Sequence, residues 1–152
     1  MIYQGTLVSV SDMERAKHFY ETVMGQKVMM DLGTHVSFER GLSLQSNYAE
    51  LVGEDLPIKE QSNSFQLYFE VEDLDYWHNK IMDTEGIEII HAPKEYPWGQ
   101  RVMRFYDYDK HIVEVSESME SVARRFLAQG LSLEETAKRT MYPVEFVKSI
   151  MG

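Results

Sequence analysis

Apolar and polar residues alternate with a period of two over residues 2–10. Thr6, Val8 and Val10 fall on one face, and Gly5, Leu7 and Ser9 on the other, which predicts a strand. From Asp12 the period lengthens. Met13, Ala16, Phe19, Tyr20 and Val23 recur at helical spacing. Asp12 is the expected N-terminal cap, with Arg15 three residues on, and Gly25 the expected stop in a left-handed conformation. Residues 26–32, 35–40 and 42–45 then read as three strands joined by short turns at Gly33 and Gly41.

The same order returns further along. Phe65, Leu67, Phe69 and Val71 line one face of a strand, and Gln66, Tyr68 and Glu70 the other. Asp73 and Asp75 stand where a helix starts and their charge meets the positive end of its dipole. Leu74, Trp77, His78 and Ile81 form its expected buried stripe, and Gly86 closes it. Residues 87–91, 102–106 and 111–115 read as strands. A loop over 92–100 carries Pro93, Tyr96, Pro97, Trp98 and Gly99, and a tight turn occupies 107–110. Asp12 to Gly25 and Asp73 to Gly86 are both 13 residues apart (25 − 12 and 86 − 73). A repeated strand–helix–strand unit predicts two similar halves sharing a cleft. Residues 46–64 read as the linker, in which Tyr48, Leu51, Val52 and Ile58 suggest a short packed helix.

The tail breaks the repeat. Met119, Val122, Ala123, Phe126 and Leu127 predict a helix stopped at Gly130. Ser132 and Glu135 form a capping box ahead of Thr136, Ala137 and Thr140. Pro143 opens a third helix with Val144, Val147 and Ile150. These helices are expected to cover an outer face or to join an interface. The last two look like the start of a helix-turn-helix with Met141 in place of the usual turn glycine. The would-be reading helix offers only Lys148, whereas such helices present several Arg, Lys, Asn or Gln side chains.

Composition narrows the function. The 152 residues are 43% hydrophobic, as in a globular protein. No apolar run approaches the roughly 18–20 residues that span a bilayer, so no membrane partner is expected. The first residues lack the basic and apolar regions of a signal peptide, which with the absence of cysteine leads to an expected cytoplasmic location and excludes thiolate chemistry. The net charge is −10. Residues 1–115 hold 20 acidic against 10 basic residues, and residues 116–152 hold 5 against 5. That field opposes a phosphate backbone, and nucleic acid is not an expected partner.

The combination of Asp12, Phe19-Tyr20 and Gly25, then Asp73 and Gly86, then Trp98-Gly99-Gln100-Arg101 and the run Phe105 to Val115 resembles the vicinal oxygen chelate superfamily. That group includes glyoxalase I, bleomycin-resistance proteins and extradiol dioxygenases. The resemblance covers about residues 2–116. It implies an α+β fold of paired βαβββ modules, about 2–46 and 64–116, that form a curled mixed-sheet cleft. Residues 1–116 would be the glyoxalase/bleomycin-resistance-like domain, and 117–152 a helical extension. It also implies a homodimer.

In metal-using members four inward positions supply the ligands. On this chain they are Gly5, Gln66, about Gln45, and Glu114. Gly5 has no donor and the two glutamines are neutral, so an ordinary metal site is not expected and no cofactor is assigned. Were a divalent metal bound, Gln66 and Glu114 would be its ligands. The same positions suit an organic ligand. Gln45, Gln66, Tyr68, Trp98 and Glu114 are the candidate pocket residues, polar groups among aromatic walls. His111 reads as a structural part of its turn. His18, His35, His78 and His91 share no ligand spacing and are set aside. No catalytic residue is assigned. The leading reading is a protein that binds a small organic molecule in the sheet cleft. The alternatives are a metal-dependent lyase, isomerase or dioxygenase, and a regulatory or interaction protein that uses the C-terminal helices.

Overall fold

The computed structural model describes residues 1–53 and 56–151; Glu54 and Asp55 of the expected linker lie outside this range. Its contacts divide the chain into two units. One comprises Met1–Ser64 with Asp107–His111, the other Phe65–Tyr106 with Ile112–Gly152.

In the first unit, β1 (Thr6–Ser9) leads into α1 (Met13–His18), which continues as a π-helical turn over Phe19–Val23. Asp12 caps α1 by accepting from the Arg15 amide at 3.0 Å, as its position predicts. Met13, Ala16, Phe19 and Tyr20 are buried. The widened turn is fixed by the Met24 amide donating to the Phe19 carbonyl at 2.9 Å. Then follow β2 (Val28–Asp31), β3 (His35–Phe38), β4 (Leu42–Gln45) and α2 (Tyr48–Val52). The sheet order is β1-β4-β3-β2, with β1 parallel to β4 and the rest antiparallel. The predicted strands are longer than those observed because residues 2–5 precede β1 and a 3₁₀ turn takes Glu39–Gly41. The short linker helix exists, but Leu51, Val52 and Ile58 are exposed, so it lacks the expected packing.

The second unit repeats the plan: β5 (Gln66–Val71), α3 (Leu74–Met82), β6 (Glu88–Glu95), β7 (Arg101–Tyr106) and β8 (Ile112–Glu117), in sheet order β5-β8-β7-β6. Asp73 caps α3 through the Tyr76 amide at 2.9 Å. Leu74 and Ile81 are fully buried, while Trp77 and His78 are only half-buried. The expected loop from residue 92 is instead strand as far as Glu95. Pro93 is tolerated because β6 is an edge strand and its register slips between His91 and Lys94. Each half thus carries a four-stranded mixed sheet with helices, an α+β fold with no closed barrel among the described residues.

Three helices follow: α4 (Met119–Ala128), α5 (Leu133–Thr140) and α6 (Val144–Ile150). Ser132 and Glu135 make the reciprocal capping box. Val122, Ala123, Ala137, Thr140 and Val147 are buried, so the apolar stripes read from the sequence are the packed faces.

Candidate functional site

The β7–β8 hairpin places Arg104 directly opposite Glu114, while His91 on β6 and Tyr68 on β5 continue the same register. Residues opposed in a ladder share a face. His91, Arg104, Glu114 and Tyr68 therefore form one polar row across four strands.

Arg104 organises this row. Its Nε donates to Gln66 Oε1 at 3.0 Å, and its Nη1 to Tyr96 Oη at 2.6 Å and to His91 Nε2 at 3.1 Å. Its Nη2 is ion-paired with Glu114, whose carboxylate also accepts from Gln66 Nε2 at 2.8 Å. Glu114 is 6% exposed, so its charge needs this partner. A guanidinium only donates, so His91 Nε2 accepts. His91 Nδ1 carries the proton, facing the Ala92 carbonyl at 3.0 Å. The Arg104 and Glu114 charges offset each other.

At the Tyr68 end of this row lies a more aromatic region. Tyr68 donates to Glu70 at 2.6 Å. Burial, then this hydrogen bond, raises the phenol above its ordinary value, so it stays protonated at neutral pH. Gln100 Nε2 donates to the Glu117 carbonyl at 2.8 Å, and Gln100 Oε1 accepts from the Trp98 indole at 2.9 Å. Tyr96 and Trp98 stack with ring centres 4.9 Å apart. Trp98 also packs on Met119, Val122 and Phe126 of α4. Gly99 permits that approach: a Cβ there would come within 2.4 Å of the Phe126 ring.

A pocket of about 280 Å³ opens here. Tyr68, Trp98 and Gln100 line one side, and Met119, Thr140, Met141 and Tyr142 the other. Ion pairs tie the helices to this side. Buried Glu117 receives Arg101 Nε at 2.9 Å and Arg125 Nη2 at 3.1 Å. Arg139 joins Glu95 at 2.7 Å. Changing Glu117 to Gln should cost about 2 kcal/mol, since both cations are partly hydrated. Chemical denaturation measures this directly, and an unchanged midpoint would show that Glu117 does not anchor the helices.

The sequence candidates divide accordingly. Gln66, Tyr68 and Glu114 share one face, and Trp98 meets Tyr68 at the pocket. Gln45 belongs to the first unit, where it is buried and engaged by His35 Nδ1 at 3.0 Å and by Asn47. Gly5 also lies there, against Gly41. His111 donates from Nδ1 to Asp107 at 2.9 Å, a structural bond. The sequence reading placed Tyr96 beside Trp98 as an aromatic wall, but it missed Arg104, Gln100 and the helical wall. It set His91 aside, yet His91 joins the Arg104 cluster through the β6–β7 register.

These residues do not fit a divalent ion. Glu114 is the one strong donor at the four expected positions, and a guanidinium holds it. Among the described residues no three His, Asp or Glu side chains converge.

The sequence matches the family model described as glyoxalase-like domain over residues 3–120. A solved structure of a protein of unknown function from Agrobacterium tumefaciens is 34% identical. Its TM-score is 0.70, and the match covers 78% of this chain and 94% of that one. A lactoylglutathione lyase from the same organism is 23% identical with a TM-score of 0.59, covering 77% and 93%. TioX from Micromonospora is 16% identical with a TM-score of 0.59, covering 77% and 98%. The last two are likenesses of fold. No curated protein matches the chain significantly.

Proposed function

The chain belongs to the glyoxalase-like domain family, within the vicinal oxygen chelate superfamily, and on that premise we propose that it binds a small organic molecule on the β5–β8 sheet without an ordinary metal site. The observation that carries this reading is the Arg104–Glu114 pair. A metal needs several oxygen or nitrogen donors converging within about 2.0–2.2 Å. Here the carboxylate is already neutralised by a side chain that cannot lose its proton. A dication brought to Glu114 would meet a fixed positive charge. Polar groups beside aromatic walls remain, and these suit recognition of an organic ligand. A homodimer and a cytoplasmic location belong to the same reading.

Elemental analysis of the purified protein tests it. The expected result is no stoichiometric Ni, Zn, Fe or Mn, either in the parent or in Glu114→Ala. One full equivalent in the parent, lost in the variant, would overturn the reading in favour of a metal-dependent lyase, isomerase or dioxygenase. Arg104→Met supplies a second arm. It removes the ion partner of a buried carboxylate and should cost about 3 kcal/mol. Urea denaturation measures this, and an unchanged midpoint would show that the guanidinium does not hold Glu114.

A further inference from the structure

We infer that the α5–α6 turn is a specificity wall, and that the pocket it closes takes a planar, one- or two-ring aromatic molecule without negative charge. This rests on the reading of the sheet as a small-molecule site and adds the ligand's class. The family match ends at residue 120. Thr140, Met141 and Tyr142 therefore line the pocket from outside the glyoxalase-like domain. The wall lies beyond the part of the chain that matches the family model, and it lines the pocket together with Tyr68 and Trp98.

The chemistry of the lining sets the ligand class. No lining residue carries a charge at neutral pH. The arginines of these strands and helices that pair with acids are committed: Arg104 to Glu114, Arg101 and Arg125 to Glu117, Arg139 to Glu95. An anionic ligand would lose water without meeting a free counter-charge among these arginines, and the Glu70 carboxylate bonded to Tyr68 would repel it. Two thioethers, Met119 and Met141, and three aromatic rings suit a flat π-system. Gln100 is engaged at both ends. The Tyr68 proton goes to Glu70, and Gln100 Nε2 approaches the phenol oxygen only to 3.5 Å. The volume of about 280 Å³ lies just below the roughly 300–1,000 Å³ of small-molecule pockets, which limits the occupant to one or two rings.

Met141 gives an independent sign. It sits at φ 61, ψ 20 as the C-terminal cap of α5, where glycine is free of strain and a long side chain is not. It is also 70% exposed, so the strain is not offset by burial, and its side chain stands on the pocket rim.

The test compares 2-naphthol with 2-naphthoate and cyclohexanol, followed by quenching of Trp98 fluorescence, with Trp98→Phe as the blank. Saturable quenching by 2-naphthol alone is expected. Met141→Gly should raise the melting temperature by relieving backbone strain while weakening 2-naphthol about five- to tenfold. A structural role alone would not move these two readouts in opposite directions. Unchanged affinity in both Met141→Gly and Tyr142→Ala would overturn the wall. Tighter binding of 2-naphthoate, or no binding of any of the three, would overturn the ligand class. Either failure leaves the metal-free reading standing on its own elemental analysis.

Discussion

Replacing Asp107 with alanine is expected to destabilise the chain by about 3–5 kcal/mol, because it strips four donors of one buried charge. Asp107 is 3% exposed and Tyr20 is 1% exposed. One carboxylate oxygen accepts from the Asp109 and His111 amides at 3.0 and 2.8 Å. The other accepts from Tyr20 Oη at 2.6 Å and His111 Nδ1 at 2.9 Å. Alanine would leave a buried phenol unpaired and the turn unpinned. Asp107→Asn keeps an acceptor for the two amides, so it should lose less. Urea denaturation ranks the three proteins. Equal midpoints for parent and alanine variant would show that the turn holds without this carboxylate.

The same cluster sets an alkaline limit. Burial first, then the Asp107 charge, pushes the Tyr20 phenol well above its ordinary value of 10.0. The unfolded chain then loses this proton before the folded chain does. The stabilisation is fully present below the unfolded value. It declines as the pH rises through about 10 towards the folded value. Tyr20→Phe should be less stable at neutral pH, yet it should lose less stability between neutral and alkaline pH than the parent.

Much of this architecture was legible as pattern. Asp12 and Asp73 both cap helices where the repeat puts them, because a short carboxylate before an apolar helical stripe has few other uses. The buried faces of α4 and α5 follow their apolar spacing. Arg104 was legible in principle. The β7–β8 turn is centred near Asp109, and Arg104 and Glu114 lie five residues from it on either side (109 − 104 and 114 − 109), which makes them opposite neighbours. A donor search confined to positions where ligands are expected passes over a guanidinium. His91 was harder, since its pairing with Arg104 depends on a slipped register in β6. The helical wall was not legible at all. Periodicity tells which face of α5 is buried, but not what that face is buried against.

The lopsided repeat leads to the last expectation: Gly5→Ala should cost about 3 kcal/mol or more, and Gly5→His should fail to restore a metal site. Gly5 has φ 154, and a Cβ there would lie 1.9 Å from the Gly41 carbonyl oxygen and 2.7 Å from its Cα. Gly41 in turn could not carry a Cβ without meeting the Gln4 carbonyl at 2.7 Å. Two glycines thus let adjoining backbone segments close on each other, and no rotamer relieves a clash made at Cβ. The first module therefore lacks a donor at this position because there is no room for one. Gly33 provides the control. It also has a positive φ, 80, but nothing lies within 4 Å of its Cβ position. Gly33→Ala should show backbone strain alone, about 1 kcal/mol. The difference between the two alanine variants in thermal or urea unfolding isolates the clash, and equal losses would refute it. Gly5→His carries the same clash with an imidazole attached, so elemental analysis of whatever folds should still find no stoichiometric metal.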